Sequence, residues 1–172
     1  MLSKAKTVTF YRSFSKELLF YLRKLTGNNE TAEDLLHDTF ANLIEYSKTR
    51  DIDETSVRAF LYRTAHNLAI NFLQKNKRSS ATDIDSMTDV IKSDDSEKTI
   101  GNLEADELNA RIYHFLDTIE PRDRSMFILH KELGKNYNQI SAELGISERT
   151  VRRRMKSLLL EIYELLETGG YL

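Results

Sequence analysis

The chain contains no cysteine. Disulfide frameworks, thiolate zinc sites, iron–sulfur clusters and cysteine nucleophiles are therefore excluded. Proline occurs once and glycine six times in 172 residues, so helix breakers are scarce. No apolar run approaches the roughly 18–20 residues of a membrane span. The segment Met1–Lys6 has no apolar signal-peptide core, which predicts a cytoplasmic protein. His37, His66, His114 and His130 share no ligand spacing, so no metal site is expected. Gly-rich phosphate loops and nucleophile motifs are also missing. These absences predict a protein that is not an enzyme and takes no cofactor or small-molecule substrate.

What is present is helix-forming sequence: 40% hydrophobic and 30% charged residues, enough apolar content for packed cores. The expected class is all-α. The net charge of −2 conceals an uneven distribution. Residues 1–80 hold 13 Lys/Arg against 9 Asp/Glu, residues 81–107 hold 2 against 9, and residues 108–172 hold 10 against 9. An acidic middle thus separates two more basic ends, and a nucleic-acid partner needs only a local basic face.

Along the chain, Phe14, Leu18, Leu22 and Leu25 follow helical spacing after a frayed start, and Gly27-Asn28-Asn29 ends that helix. Thr31 is the expected N-cap of a second helix, with Asp34 answering it and Leu36, Phe40, Leu43 and Ile44 as its apolar stripe. Tyr46–Glu54 reads as a loop. A third helix starts at Thr55 or Ser56 and carries Val57, Phe60, Leu61, Ala65, Leu68 and Phe72 inward, with Tyr62 as aromatic surface. Residues 79–102 are rich in Ser, Asp and Thr and predict a flexible acidic linker. Helical spacing returns from Leu103, with Pro121 breaking it and Gly134 closing a further amphipathic piece. The predicted domains are residues 1–78 and 103–172, two small helical units joined by the linker 79–102.

Residues 136–157 are the most informative. Asn136 can cap a short helix, with Gln139 at N3, and Gly145 suits a left-handed C-cap. Ser147 caps a second helix with Val151, Met155, Leu158 and Ile162 inward. This is a helix-turn-helix pattern. Its second helix opens with Glu148, Arg149, Arg152, Arg153, Arg154 and Lys156. Arg149, Arg152, Arg153 and Lys156 share a face that can enter a major groove, reading guanine or holding phosphate. Glu148 can accept from cytosine or simply favour the helix dipole. A plain helical hairpin with a solvated charge run is the blander reading of the same residues.

With that motif in hand, the chain from about residue 10 to 168 resembles the ECF (extracytoplasmic-function) sigma factors of bacterial RNA polymerase. Ala32-Glu33-Asp34-Leu35-Leu36-His37-Asp38-Thr39-Phe40 resembles the region-two signature Ala-Glu-Asp-Leu-x-Gln-(Glu/Asp)-x-Phe, with His37 for Gln. Phe60-Leu61-Tyr62-Arg63-Thr64-Ala65-His66-Asn67 resembles Trp-Leu-x-x-Ile-Ala-x-Asn, with Phe60 for Trp, and Asn71 stands where Asp is usual. Ile119–Arg124 resembles Leu-Pro-x-x-x-Arg of region four with an extra residue, and Gln139-Ile140-Ser141 replaces Glu-Ile-Ala.

The resemblance implies two helical domains that bind core RNA polymerase and promoter DNA, both duplex and melted, with an anti-sigma factor as a further class of partner. It implies that Glu33, Asp34, His37, Asp38 and Phe40 dock on the polymerase. It implies that Arg63, Asn67, Asn71, Lys75, Lys77 and Arg78, with the preceding loop, hold the melted minus-ten strand. For Asn67 a buried role satisfying backbone groups stays open. Glu148, Arg149, Arg152, Arg153 and Lys156 would read the minus-thirty-five element. As a coil, a ~25-residue linker averages roughly 25–30 Å end to end and stretches to ~80 Å, so the two domains can reach separated elements. A stand-alone helix-turn-helix regulator, dimerising through the N-terminal half, and a helical adaptor that never meets DNA are the rival readings.

Overall fold

The structure is a computed structural model that describes residues 3–80 and 103–170. Regular structure among these residues is entirely α-helical. The helices are α1 (Lys4–Thr26), α2 (Asn29–Thr49), α3 (Glu54–Ser80), α4 (Leu103–Thr118), α5 (Pro121–Lys131), α6 (Tyr137–Leu144) and α7 (Glu148–Thr168). Ser79 and Ser80, assigned to the linker, extend α3, and residues 81–102 lie outside the described residues.

α1, α2 and α3 bury one apolar stripe each. Leu18, Tyr21, Leu22 and Leu25 meet Ala32, Leu36 and Leu43, together with Val57, Leu61, Ala65 and Ala69. A fully buried leucine contributes ~1.5–3 kcal/mol, so this shared stripe is the main force holding the three helices together. α1 begins earlier than its sequence suggests, because Ser3 caps it by accepting from the Lys6 amide at 3.2 Å. Gly27 closes it in the left-handed conformation at φ 70°. α2 starts at Asn29 and not after Thr31: the Asn28 side chain accepts from the Thr31 amide at 2.8 Å. The segment Tyr46–Glu54 is only partly a loop. α2 continues to Thr49 because the Tyr46 ring lies 4.8 Å from the Phe60 ring of α3 and Ser47 is buried. Asp53 then caps α3, accepting from the Ser56 amide at 2.7 Å.

In the C-terminal half, Pro121 opens α5 at a first-turn position, where its missing N–H costs nothing. Leu116, Met126, Ile128, Leu129, Ile140, Val151 and Met155 are buried there. The two halves also pack on each other. α6 lies along α3, and α5 lies against α1 and α3. Their buried apolar residues form a single continuous cluster.

Candidate nucleic-acid and polymerase interfaces

The helix-turn-helix is built by local hydrogen bonds. Asn136 and Gln139 form a reciprocal capping box, with distances of 2.9 and 3.0 Å. Gly145 takes φ 68°, and its N–H reaches the Ser141 carbonyl at 3.0 Å. The Ser141 hydroxyl donates to the Ile146 carbonyl at 2.6 Å, which locks the turn. Ser147 caps α7 by accepting from the Thr150 amide at 3.1 Å. Val151, Met155, Leu158 and Ile162 are buried, which fixes the roll of α7.

That roll leaves Arg149, Arg152, Arg153 and Lys156 exposed, with Glu148 half-buried. Arg152 holds Glu148 at 2.6 Å and lies 5.5 Å from the Tyr137 ring centre. Arg154 leaves the basic face: it is half-buried and pairs with Asp123 of α5 at 2.9 Å. The outward face is therefore less positive than the sequence of α7 suggests.

On α3, Arg63, Asn67, Asn71 and Lys75 recur every four residues and are all exposed, followed by exposed Lys77 and Arg78. Asn67 is thus a surface residue and not a buried satisfier of backbone groups. Tyr62, read as aromatic surface, is fully buried, and its hydroxyl donates to Glu17 at 2.6 Å. Burial and the Glu17 charge both drive the Tyr62 phenol well above its ordinary range. Arg63 does not point to solvent alone. Its guanidinium donates to the Ala142 carbonyl of α6 at 3.1 Å.

On α2, Glu33, Asp34, His37 and Asp38 are exposed. Glu33 pairs with Arg23 of α1 at 2.9 Å. Phe40 is not on this surface: it is 5% exposed and packs on Tyr11 with ring centres 4.9 Å apart. Ile44, read as core, is 43% exposed and lies two turns beyond His37 on the same side of α2. The heptad offset between His37 and Ile44 was the available signal for it.

A cluster that sequence reading missed joins the halves. Arg58 of α3 reaches Glu17 of α1 at 2.5 Å and Glu143 of α6 at 3.0 Å. Lys135 reaches Glu17 at 2.6 Å. Burial alone would raise Glu17, but hydrogen bonds from Lys135 and Tyr62 and the Arg58 charge bring it below the usual carboxylate range. Glu143 moves the other way, because burial outweighs its single bond to Arg58. Its second oxygen, Oε2, is buried without a partner. Nearby, His66 Nδ1 lies 3.0 Å from both the Tyr21 and Ser125 hydroxyls, which also bond to each other. Burial, with the Arg122 charge, pushes His66 down to about 4. Among the described residues there is no cluster of three His, Cys, Asp or Glu that could hold a metal, and no helix is long and apolar enough to cross a membrane.

Comparison with known proteins agrees with both halves. Residues 10–79 match the family described as Sigma-70 region 2, and residues 109–157 match Sigma-70, region 4. The RNA polymerase sigma factor YlaC of Bacillus subtilis is 25% identical over 155 residues, covering 88% of this chain and 87% of that protein. The ECF RNA polymerase sigma factor SigL of Mycobacterium tuberculosis is 26% identical over 164 residues, covering 90% and 88%. A solved structure of the sigma factor RpoE, in complex with the anti-sigma factor NepR from Bartonella quintana, shares the fold. It matches with a TM-score of 0.66 at 18% identity, covering 92% of this chain and 95% of that one. With its two matches in order on the two helical halves, the chain belongs to the ECF sigma factor family.

Proposed function

We propose that this sigma factor joins core RNA polymerase and directs it to promoters through two separate helical readers. α7 is assigned to the duplex minus-thirty-five element through Arg149, Arg152, Arg153 and Lys156, with Glu148 at its start. The α3 stripe of Arg63, Asn67, Asn71, Lys75, Lys77 and Arg78 is assigned to the melted minus-ten strand, where amides can bond base edges and cations follow phosphates. The α2 face of Glu33, Asp34, His37 and Asp38 is assigned to the polymerase. Ile44 takes there the apolar place that Phe40, lying in the core, leaves open. The polymerase supplies the chemistry, so the chain is read as non-catalytic, without cofactor, metal or small-molecule substrate. It would act in the cytoplasm, and an anti-sigma factor is the second class of protein partner.

The observation that carries this reading is the division of α7. Its inward face is fully committed to the core, and its outward face presents four cations beside a capped N-terminus. The test is run-off transcription from host DNA with purified core polymerase. The expected result is promoter-specific transcript that depends on the chain. Asp34→Lys with Asp38→Lys should weaken capture of core polymerase while leaving helicity unchanged. A protein that protects duplex DNA without polymerase and adds no transcript would instead be a stand-alone helix-turn-helix regulator.

A further inference from the structure

We propose that α7 carries a self-complementary face on which a second copy of this chain docks antiparallel. The pairing goes beyond the functional reading above, and its consequence for DNA rests on that reading.

The face is centred on apolar side chains that the core does not use. Leu158 is buried, but the next two leucines turn outward. Leu159 and Leu160 are 44% and 54% exposed, and Tyr163 is 53% exposed. With Lys156 they line a shallow groove of about 420 Å³. Lys156, Leu159, Leu160 and Tyr163 stand at i, i+3, i+4 and i+7, the four corners of a hole that receives one side chain of a facing helix.

The charges around this patch are divided by sign. Arg153 and Lys156 precede it, Glu164 and Glu167 follow it, and all four are exposed. None of the four has an opposite charge three or four residues away on α7. Lys156 instead follows Arg152 and Arg153 by one turn, and Glu164 stands between Glu161 and Glu167. Like charges at this spacing weaken a lone helix. No ion pair among the described residues reaches these four side chains, whereas the adjacent cations are paired: Arg152 with Glu148 at 2.6 Å and Arg154 with Asp123 at 2.9 Å.

A second α7 running the other way supplies the missing partners. With a two-fold axis at Leu160, residues equally far before and after it meet. Lys156, four before, faces Glu164, four after; Arg153, seven before, faces Glu167, seven after. The five positions share one helix face. Symmetry makes each ion pair twice, around a contact of Leu160 with its own copy. Tyr163 falls opposite Ser157, whose small side chain leaves room for the ring. A parallel copy would set like charges on like.

From Arg153 to Glu167 the contact is ~21 Å long and one helix wide. That falls short of the ~1,200–2,000 Å² buried in a stable complex, so the pair is weak and set by concentration. It also withholds α7 from DNA. A major groove admits one α-helix, and in the pair Arg153 and Lys156 are held by carboxylates.

Sedimentation equilibrium of the full chain, from about 1 to 200 µM at low salt, is the test. The parent should dimerise with Kd on the order of tens of micromolar. Leu160→Glu, which sets two carboxylates at the axis, should leave only monomer. Lys156→Glu should weaken the pair at least tenfold, and Lys156→Glu with Glu164→Lys should restore it to within about threefold of the parent. These two positions are eight residues apart, so rescue cannot come from pairing within one helix. All substitutions are at exposed positions, and far-UV circular dichroism checks that each variant is folded. A dimer that survives Leu160→Glu, or a folded double variant that is not rescued, would overturn the proposal. So would a chain that stays monomeric while Leu160→Glu lowers capture of core polymerase, which would give this face to the polymerase. Duplex host promoter DNA added to the parent dimer should dissolve it into DNA-bound monomers. Failure of the functional reading is seen separately, as a dimer that ignores the duplex while still obeying the charge exchange.

Discussion

α3 and α7 carry similar chemistry and are held in different ways. Each is an amphipathic helix with arginines on its polar side. α7 is rolled by Val151, Met155, Leu158 and Ile162, all buried, so its cations face outward. α3 is buried from two directions, by α1 and α2 on one side and by α6 on the other. Two of its arginines, Arg58 and Arg63, are therefore spent on the opposite half. The contrast shows that an arginine's position on a helix does not decide its task. What decides it is which neighbour reaches it first.

The largest expected effect tests the roll of α7. Met155 is fully buried, and Met155→Ala should lower unfolding free energy by ~2–5 kcal/mol through lost transfer energy and a cavity. Arg153→Ala, on the opposite face, should leave it within ~0.5 kcal/mol. Urea unfolding of the two variants is the check. Equal losses would mean that α7 has no outward face and that the comparison with α3 has no basis.

A second test sharpens the α3 side of the comparison. His66 faces Tyr21, Ser125 and the charge of Arg122, and burial holds it at about 4. Its ordinary value when exposed is about 6.5. Between those values the unfolded chain binds a proton that the folded chain does not. Stability from His66 is therefore full above about pH 6.5 and is lost as pH falls toward 4, by roughly 3 kcal/mol. Glu143, raised in the folded chain by burial, acts with the opposite sign, so the His66→Gln variant is needed to isolate the effect. The difference in urea midpoint between parent and variant should shrink from pH 7.5 to pH 4.5. A constant difference would place His66 outside the interface.

Much of this arrangement was legible in the sequence wherever a local rule governs. Asn136 with Gln139, Gly145, Ser147 and the inward positions of α7 all follow from capping and spacing. Local rules failed where a distant partner decides. Asn28 outcompetes Thr31 as a cap because it alone lies outside the helix with extended backbone, at ψ 127°. α2 runs past Tyr46 because Phe60 on another helix covers its ring. Tyr62 is buried because Glu17 supplies an acceptor for its hydroxyl, which no pattern within α3 reveals. Phe40, expected both in the apolar stripe and on the docking face, keeps only the first place because α1 brings Tyr11 over it, while Ile44 leaves the stripe for the surface. The contact between halves left no sequence signature, since its groups come from five separate segments.

On α7, alanine substitution should separate base readers from phosphate holders. Among Arg149, Arg152 and Arg153, loss of a base-reading side chain should cost ~1–3 kcal/mol and relax preference at one promoter position. Loss of a phosphate-holding one, or of Lys156, should weaken all promoters alike and reduce the salt slope by about one. Transcription from a promoter library by each variant is the measurement. Four silent variants would remove α7 as a reader and leave α3 as the sole nucleic-acid surface.

The smallest effect concerns the pair at the start of α7. Glu148 and Arg152 stand one turn apart at 2.6 Å, with side chains 40% and 66% exposed. Solvent screens such a pair, and its contribution to stability is ~0.2–1 kcal/mol. Glu148→Gln should therefore shift the urea midpoint only slightly. Its effect on DNA should be larger and of defined sign. Arg152 is tethered to Glu148 and stacked beside Tyr137, so the carboxylate competes with DNA for the guanidinium. Removing that charge frees Arg152 and removes repulsion from phosphates, so overall affinity should rise in Glu148→Gln. If Glu148 instead accepts from a cytosine, affinity falls on that promoter alone and discrimination at one position relaxes. Binding measured on two promoters that differ at a single base pair separates the two outcomes, because a freed arginine strengthens both while a lost acceptor weakens only one.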